Sequence, residues 1–448
     1  MLDLELFRRE VKRVLPVTVK GRILSVSGPV LKATLSGAAV GDLVEVQTRN
    51  GAMNAPANER AGYLLAQIVG FSSEGAILTP FGPIENILPG AEVIVSGKPP
   101  RIVLGEKLVG SVVDAFGKPL QADAAPPVRA LTGLPTIVSS SYGEPPPALS
   151  RRGITEPFIT GIRAIDGFAT LGRGSRLGVF AEPGGGKSTL LSTIARNCQA
   201  DVIVIGLIGE RGREVNELLV ELDQATRAKS VVVVSTSDEA AVKRVLAAHT
   251  ATRIAEYFRE LGCNVLLLLD SLTRLFRAFR EVGLAAGEVP VRRGYPPSLF
   301  AALPGLLERA GNSAHGSITA LYTVLLSSDL DEDPMVEEVK GLTDGHLMLR
   351  RELAERQHYP AIDILGSISR VMNRVTDSEM QTAVRKIRSL YSRLTRDRDI
   401  AILGGQVDAE LELALRLEQD FNDFLRQPQR DASSFAETKS WLLRLASA

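Results

Sequence analysis

Residues that form disulfides or metal clusters are scarce in this sequence. Its 448 residues include only two cysteines and four histidines. Cys198 and Cys263 lack the spacing of a metal site, and the histidines are scattered along the chain. We therefore expect two reduced thiols among the small core residues, as in a protein of a reducing cytoplasm.

Long apolar runs are also missing. The longest, in VLLLLD at 265–270, has the length of a strand and falls short of the roughly 18 residues of a membrane helix. The N-terminal stretch MLDLELFRREVKRVL mixes acids and bases among its apolar residues and lacks a small-residue cleavage site. The sequence therefore predicts neither a membrane span nor a secretory signal.

The chain has no excess of basic residues. Its 52 Lys and Arg equal its 52 Asp and Glu, so the net charge is zero, whereas a general nucleic-acid binder carries a basic excess. Residues 19–97 contain only Tyr63, Phe71 and Phe81 as aromatics and no basic cluster. These features argue against an RNA translocase, and we expect no nucleic-acid partner.

The N-terminal third divides into three segments of different pattern. Residues 1–18 place Leu4, Phe7 and Val11 at helical spacing and predict a short helical segment. Residues 19–97 consist of short apolar or alternating runs between Gly, Pro and Asn, typical of a small β-sandwich or barrel. Residues 98–150 are rich in proline, which breaks helices and central strands, so they predict a connector that lies on the following domain.

The rest of the chain predicts an α/β domain followed by helices. Between about 151 and 372, near-continuous apolar strands alternate with helical stretches, the longest from about Asp238 to Leu261, which indicates a mostly parallel sheet covered on both faces. From 373 to 448 the pattern is helical, and TDSE at 376–379 has the form of a capping box with Thr376 at the cap. The predicted strands span 176–181, 202–208, 231–235, 264–269 and 318–326.

The stretch FAEPGGGKSTLL, 180–191, has the form of a phosphate-binding loop between a strand and a helix. Ala181 stands where the first glycine of the pattern is expected. Glycines turn backbone N–H groups toward phosphates, Lys187 would reach the β- and γ-phosphates, and Ser188 would place its hydroxyl on Mg²⁺. The alternative is a glycine-rich turn with an exposed lysine. The predicted nucleotide-binding residues of the loop are Glu182, Pro183, Gly184, Gly185, Gly186, Lys187, Ser188 and Thr189.

Two acids at strand ends supply candidate chemistry. Asp270 ends the strand VLLLLD, where a Walker B aspartate holds Mg²⁺, although it could also cap the next helix. Glu210 lies in LIGERGREV, where a carboxylate near a γ-phosphate can polarise a water. Arg211 and Arg213 could keep that carboxylate ionised or contact phosphate, unless GERGRE is only a solvated turn.

With these motifs the chain resembles the ATPase of bacterial type III secretion systems, a relative of the flagellar export ATPase and of rotary ATP synthase subunits. The resembling segments include LIGERGREVNELL and LAERQHYPAIDILGSISRVMNRV and cover most of 158–375. The family fold is multidomain: an N-terminal small β-barrel, a central RecA-like P-loop NTPase domain and a C-terminal α-helical domain. The changes of pattern along the chain predict the domain ranges 1–18, 19–97, 98–372 and 373–448, with the proline-rich connector at 98–150 in the third.

The resemblance also implies roles for individual residues. Tyr359 in HYPAID matches the tyrosine that stacks near adenine, and Arg370 in SISRV matches the arginine finger that reaches a neighbouring subunit's site. Gln429 stands where the synthase has an aromatic residue near the base, which leaves base selectivity open. The implied catalytic set is Lys187, Glu210, Arg211 and Arg370, and the implied Mg²⁺ ligands are Ser188 and Asp270.

The function implied by the resemblance is ATP hydrolysis with Mg²⁺ by a homohexameric ring that drives protein export from the cytoplasmic face of the inner membrane. EPGGG and VRRGYPP favour the secretion apparatus over the flagellum, which remains the alternative. A nucleotide-binding subunit without activity is a further alternative, but such chains lack the glutamate at the Glu210 position. The implied partners are a stator-type regulator at the N-terminus, a central stalk, chaperone–effector complexes, the export gate and the sorting platform.

Overall fold

The computed structural model describes residues 19–49, 62–120, 133–326, 333–403 and 407–448. The helix predicted within 1–18 lies outside these residues. The chain forms two compact units. The first contains the described residues up to Arg101 with Glu239–Lys243 and Arg277–Leu299, and the second contains the remainder.

A closed β-barrel forms the main body of the first unit. Its strand order is β1-β2-β5-β4-β3-β6, with antiparallel neighbours. Alternation produces it: in β2, Leu31 and Ala33 are buried while Lys32 lies partly exposed between them. The predicted β-barrel is therefore confirmed. The six strands are β1 Lys20–Ser27, β2 Val30–Thr34, β3 Leu43–Gln47, β4 Tyr63–Ser72, β5 Gly75–Pro80 and β6 Glu92–Val95.

The second unit is built on a large sheet that is mostly parallel, as predicted. Its strands pair in parallel except at one edge, where Ile362–Ser369 runs antiparallel to its neighbour. A short strand, Gly311–Asn312, pairs antiparallel with Ser317–Leu325 off the main path. In spatial order the main strands are Ile362–Ser369, Gly345–Leu349, Arg176–Ala181, Ser317–Leu325, Asn264–Asp270, Val202–Glu210, Ser230–Thr236 and Val112–Val113.

The proline-rich connector contributes one of these strands. Val112 and Val113 pair with Val232 and Val233 at the edge of the sheet. Farther along, the Tyr257 hydroxyl donates to the carbonyl of Pro135 at 2.6 Å. The connector therefore packs on the α/β domain, but it also adds a strand that proline content alone argued against. The remaining short strands are Arg101–Leu104 paired with Ile137–Ser140 and Pro157–Phe158 paired with Leu171–Gly172.

Helices connect the strands and form the C-terminal region. Ala241–Glu260 matches the longest helix predicted between strands. None of the helices in the described ranges has both the length and the apolar character to cross a bilayer. The other helices of eight or more residues are Lys187–Asn197, Gly212–Glu221, Leu272–Ala285, Pro297–Leu307, Pro334–Leu342, Ser378–Ile402, Ala409–Arg416, Glu418–Leu425 and Phe435–Ser447; shorter ones are Arg163–Phe168, Gln224–Ala228, Arg351–Glu355 and Met372–Val375.

The cap predicted at Thr376 is wrong by one residue. The Asp377 carboxylate accepts from the backbone N–H of Met380 at 3.0 Å, so Asp377 caps the helix Ser378–Ile402. The Thr376 hydroxyl instead donates to the carbonyl of Met372 at 2.8 Å in the preceding short helix. Thr and Asp are both favourable N-cap residues. Because the Thr376 hydroxyl is already bonded to the preceding helix, Asp377 caps the next one.

Candidate functional site

The strand–turn–helix predicted for the phosphate loop is present at the carboxyl end of the sheet. The turn joins the strand Arg176–Ala181 to the helix Lys187–Asn197. Gly184 and Gly186 have φ of 86° and 79°, in the left-handed region that favours glycine. A Cβ on Gly185 would lie 3.1 Å from the Glu182 carbonyl oxygen. Larger residues at these positions would therefore disturb the loop.

Three of the predicted residues meet beside this loop. The Lys187 ammonium forms an ion pair with Asp270 Oδ1 and lies 3.7 Å from Glu210 Oε1. Thr323 donates its hydroxyl to the same Asp270 oxygen at 2.7 Å. The Lys187, Glu210 and Asp270 side chains are 13%, 5% and 8% exposed. A largely buried cation thus lies beside two carboxylates at the carboxyl ends of parallel strands, with Ser317–Leu325 between the strand that precedes Lys187 and the strand that carries Asp270.

A local irregularity places Glu210 in this cluster. Gly209 has φ of 71°, and the pairing of Val202–Glu210 with Ser230–Thr236 shifts register between Ile208 and Glu210. A Cβ on Gly209 would lie 3.0 Å from the Cβ of Arg274. Glycine is required here by both its conformation and the close side chain, and the resulting bulge sets the direction of Glu210.

Arg274 is a member of the cluster that the sequence did not reveal. Its Nε donates to Glu210 Oε1 at 3.2 Å from the first turn of the helix Leu272–Ala285. The only sequence signal is its position four residues after Asp270, at the start of an amphipathic helix where a surface arginine is common. Burial first, and then a hydrogen bond with Glu214, raise the pKa of Glu210 to about 7, while Lys187 and Arg274 oppose that rise.

Replacing Arg274 should therefore change the acid–base behaviour of Glu210. In Arg274→Ala the pKa of Glu210 rises further because a favourable cation is lost. For a rise of roughly one pKa unit from about 7, we expect kcat/KM for ATP at pH 7 to fall about fivefold and to recover partly at higher pH. Arg277→Ala, an exposed arginine on the same helix, is the matched control. Equal losses in both variants, or an unshifted pH profile, would rule out this role.

An apolar pocket adjoins the phosphate loop. Tyr359 is 39% exposed, and its ring would lie 3.7 Å from a Cβ built on Gly186. Gln429, noted from the sequence as a departure from the synthase, also lines this pocket. The pocket thus has the place expected for a nucleotide base. Its lining residues are Ile162, Gly185, Gly186, Thr189, Leu190, Thr193, Leu349, Tyr359, Pro360, Ala361, Gln427, Pro428 and Gln429.

The remaining loop residues have different surroundings. Pro183 and Ser188 are exposed, with Ser188 in the first turn of the helix. The Glu182 carboxylate accepts from Arg350 Nη1 at 3.2 Å and from the Arg351 backbone N–H at 2.9 Å. Glu182 therefore ties the loop to the neighbouring strand end.

Two predicted arginines do not join the cluster within one chain. The Arg211 guanidinium is 70% exposed and contacts Glu214 Oε1 at 3.4 Å. Arg370 is exposed just after the edge strand Ile362–Ser369, and its Nη2 donates to the Lys340 carbonyl at 3.2 Å. For Arg370 this exposure suits a residue that acts on another subunit. For Arg211 the predicted phosphate contact stays a prediction.

The donor chemistry of the site fits Mg²⁺. The Ser188 hydroxyl and the Asp270 carboxylate are hard oxygen donors, which Mg²⁺ prefers together with water and substrate phosphates. In the described parts of the chain, no cluster of three or more His, Cys, Asp or Glu side chains could bind a metal by itself.

Comparison with known proteins also indicates a nucleotide-binding domain. Residues 161–369 match the nucleotide-binding domain of the ATP synthase alpha/beta family, and residues 376–444 match the T3SS EscN ATPase C-terminal domain. The Type 3 secretion system ATPase of Pseudomonas savastanoi pv. phaseolicola is 46% identical over 96% of this chain and 94% of its own length. The flagellum-specific ATP synthase of Pseudomonas aeruginosa is 43% identical over 95% of this chain and 93% of its own.

Solved structures agree over nearly the whole chain. The assembled ATPase EscN of the enteropathogenic E. coli type III secretion system superposes with a TM-score of 0.86 at 42% identity, covering 95% of this chain and all of EscN. EscN in complex with its central stalk EscO gives 0.84 at 41% identity and the same coverage.

Proposed function

Because the chain belongs to the family of type 3 secretion system ATPases, we propose that it hydrolyses ATP with Mg²⁺ and couples this reaction to protein export. One observation carries the proposal: Lys187, Glu210 and Asp270 are brought together beside a phosphate loop. A subunit that only bound nucleotide would need the lysine, but it would not need a buried carboxylate with a pKa of about 7.

Each side chain of the cluster has a separate task. Lys187 binds the phosphates, and Ser188 and Asp270 would hold Mg²⁺, which would neutralise phosphate charge. Glu210 accepts a proton from the attacking water. Arg274 and Lys187 lower the pKa of that carboxylate and so favour its ionised form, and the bulge at Gly209 fixes its direction. The phosphates offer the Lys187 ammonium an anionic partner that competes with Asp270.

We propose a homohexameric ring as the active form. Arg370 is exposed, and within the described residues it does not contact Lys187, Glu210 or Asp270 of its own chain. A residue that acts on a neighbouring subunit must be free in this way. A closed ring of identical chains gives every site one finger. The assembled EscN structure and the complex of EscN with its stalk EscO support a ring and a central stalk partner.

The other proposed partners follow from family membership. They are a stator-type regulator at the N-terminus, chaperone–effector complexes, the export gate and the sorting platform, with the ring at the cytoplasmic face of the inner membrane.

The flagellar ATPase remains the second candidate function, because a flagellar relative is 43% identical. Expression in bacteria that lack either the injectisome ATPase or the flagellar ATPase separates the two: we expect rescue of injectisome secretion only.

A phosphate-release assay tests the proposed reaction. The purified chain should release phosphate from ATP with Mg²⁺ and should stop when a chelator removes the metal. Nucleotide binding without phosphate release, under conditions where the ring assembles, would instead identify a non-enzymatic subunit. RNA should neither bind nor stimulate turnover.

Turnover should also depend on pH through Glu210. The carboxylate acts as a base only when ionised, so kcat/KM should rise as pH increases through about 7, the pKa of Glu210. In Glu214→Ala the acceptor that stabilises protonated Glu210 is removed, so the rise should move to lower pH. An acid limb that is identical in the two proteins would assign the titration to another group.

A further inference from the structure

A buried amide joins the C-terminal helices to the nucleotide domain. Gln427 is 6% exposed and follows the helix Glu418–Leu425 by two residues. Its Oε1 accepts from the Arg163 backbone N–H at 2.9 Å, and its Nε2 donates to the carbonyls of Gly161 and Asp431, each at 2.7 Å. Every donor and the acceptor of the amide are used, so its orientation is fixed.

The same residue is attached to the base pocket. The backbone N–H of Gln427 donates to the Tyr359 carbonyl at 2.9 Å. Gln427, Pro428 and Gln429 line the pocket together with Tyr359. Gln427 therefore connects three parts of the site: the wall 427–429, meaning the pocket-lining residues 427 to 429, the backbone at Tyr359, and the segment 160–163.

Arg163 extends this connection to the end of a C-terminal helix. Its guanidinium donates to the carbonyls of Phe424 at 2.8 Å, Arg426 at 2.6 Å and Asp423 at 3.2 Å. The last carbonyls of a helix have no partner inside the helix, so the arginine satisfies them. The guanidinium also lies 4.9 Å from the ring centroid of Trp441 in the last helix.

The other end of the connection is anchored in the core. The fully buried Asp166 carboxylate accepts from the Thr160 backbone N–H at 2.9 Å, the Thr160 hydroxyl at 2.7 Å and the Gly161 backbone N–H at 2.9 Å. These bonds hold the 160–161 segment while Gln427 and Arg163 bind the C-terminal segment. The 160–163 segment is therefore hydrogen-bonded both to the core, through Asp166, and to the C-terminal segment, through Gln427 and Arg163.

We propose that Gln427 and Arg163 form a latch through which the C-terminal helices and the base pocket are energetically coupled. This inference rests on the proposed function, since it takes the pocket beside the phosphate loop as the site of adenine. Gln427 is a positioning residue, which acts through Tyr359 and the wall 427–429. Because coupling is reciprocal, a partner that binds the C-terminal helices changes nucleotide affinity, and bound nucleotide reduces the motion of those helices.

The first test separates the base from the phosphates. Calorimetry with Mg²⁺ should show that Gln427→Ala weakens ADP binding about tenfold, because the buried partners of the amide are left unpaired, while inorganic pyrophosphate binds within about twofold of wild type. Gln419→Ala, which removes an exposed amide bonded to the Asp423 carboxylate within the helix Glu418–Leu425, is the control. Equal losses for ADP and pyrophosphate, or no loss for ADP, would overturn the latch.

The second test reads the coupling at a distance from the ligand. In wild type, ADP should slow amide hydrogen exchange in Glu418–Leu425, and pyrophosphate should not. The ADP effect should vanish in Gln427→Ala and weaken in Arg163→Lys, which keeps the charge without the planar fork. Absence of ADP-specific protection in wild type would refute the coupling. A wild-type chain that bound neither ADP nor pyrophosphate would instead refute the proposed function.

Discussion

Replacing Glu210 by glutamine should reduce ATP turnover by about 10³-fold, within the range by which general bases contribute, and leave nucleotide binding intact. The amide keeps an oxygen that can accept from Arg274, so the local contacts persist. It cannot take a proton from water at neutral pH. Because a carboxylate beside the phosphates is removed, affinity for ATP should stay the same or increase. Single-turnover phosphate release and calorimetry measure the two quantities on one preparation.

The control for this variant is Glu217→Gln. Glu217 lies in the helix Gly212–Glu221, where its side chain is 56% exposed and pairs with Arg213 at 3.2 Å. It should turn over ATP like wild type. If Glu210→Gln retained normal turnover, Glu210 would not be the base, and the buried carboxylate would need another explanation.

Replacing Arg370 by alanine should lower turnover of the assembled ring by about 10³-fold, as loss of an arginine finger does in other phosphoryl-transfer enzymes. A monomer should bind nucleotide as before, because Arg370 does not contact the Lys187 cluster of its own chain in the described residues. Arg385→Ala, an exposed arginine of the helix Ser378–Ile402, is the control. Sedimentation must confirm that the variant ring assembles, and unchanged turnover per ring would exclude the finger.

Strongly patterned features of the fold could be predicted from the sequence. The strands that end at Ala181 and Asp270 are continuous apolar runs, so the sequence predicts both their type and where they end. Parallel pairing then brings Lys187 and Asp270 to the same end of the sheet, at the carboxyl ends of its strands. Glu210 was predicted just after a strand, whereas the structure extends that strand through the bulge at Gly209.

Contacts set by tertiary packing could not be predicted. Arg274 contacts Glu210 only because two strand ends lie side by side, and its own surroundings in the sequence are those of a surface helix. The contacts of Gln427 could not be predicted either, because two of its partners lie 266 and 264 residues earlier in the chain. Val112 and Val113 form a strand because they lie beside Val232 and Val233 at the edge of the sheet, despite the prolines around them.

Mixing two inactive variants tests whether ATP is split between adjacent chains. In a ring made from equal amounts of Glu210→Gln and Arg370→Ala subunits, about a quarter of the interfaces regain an intact glutamate facing an intact arginine. Phosphate release should reappear on mixing, near a quarter of the wild-type rate, although neither variant is active alone. Mixed rings that assemble and bind ATP but stay inactive would contradict cleavage between adjacent chains.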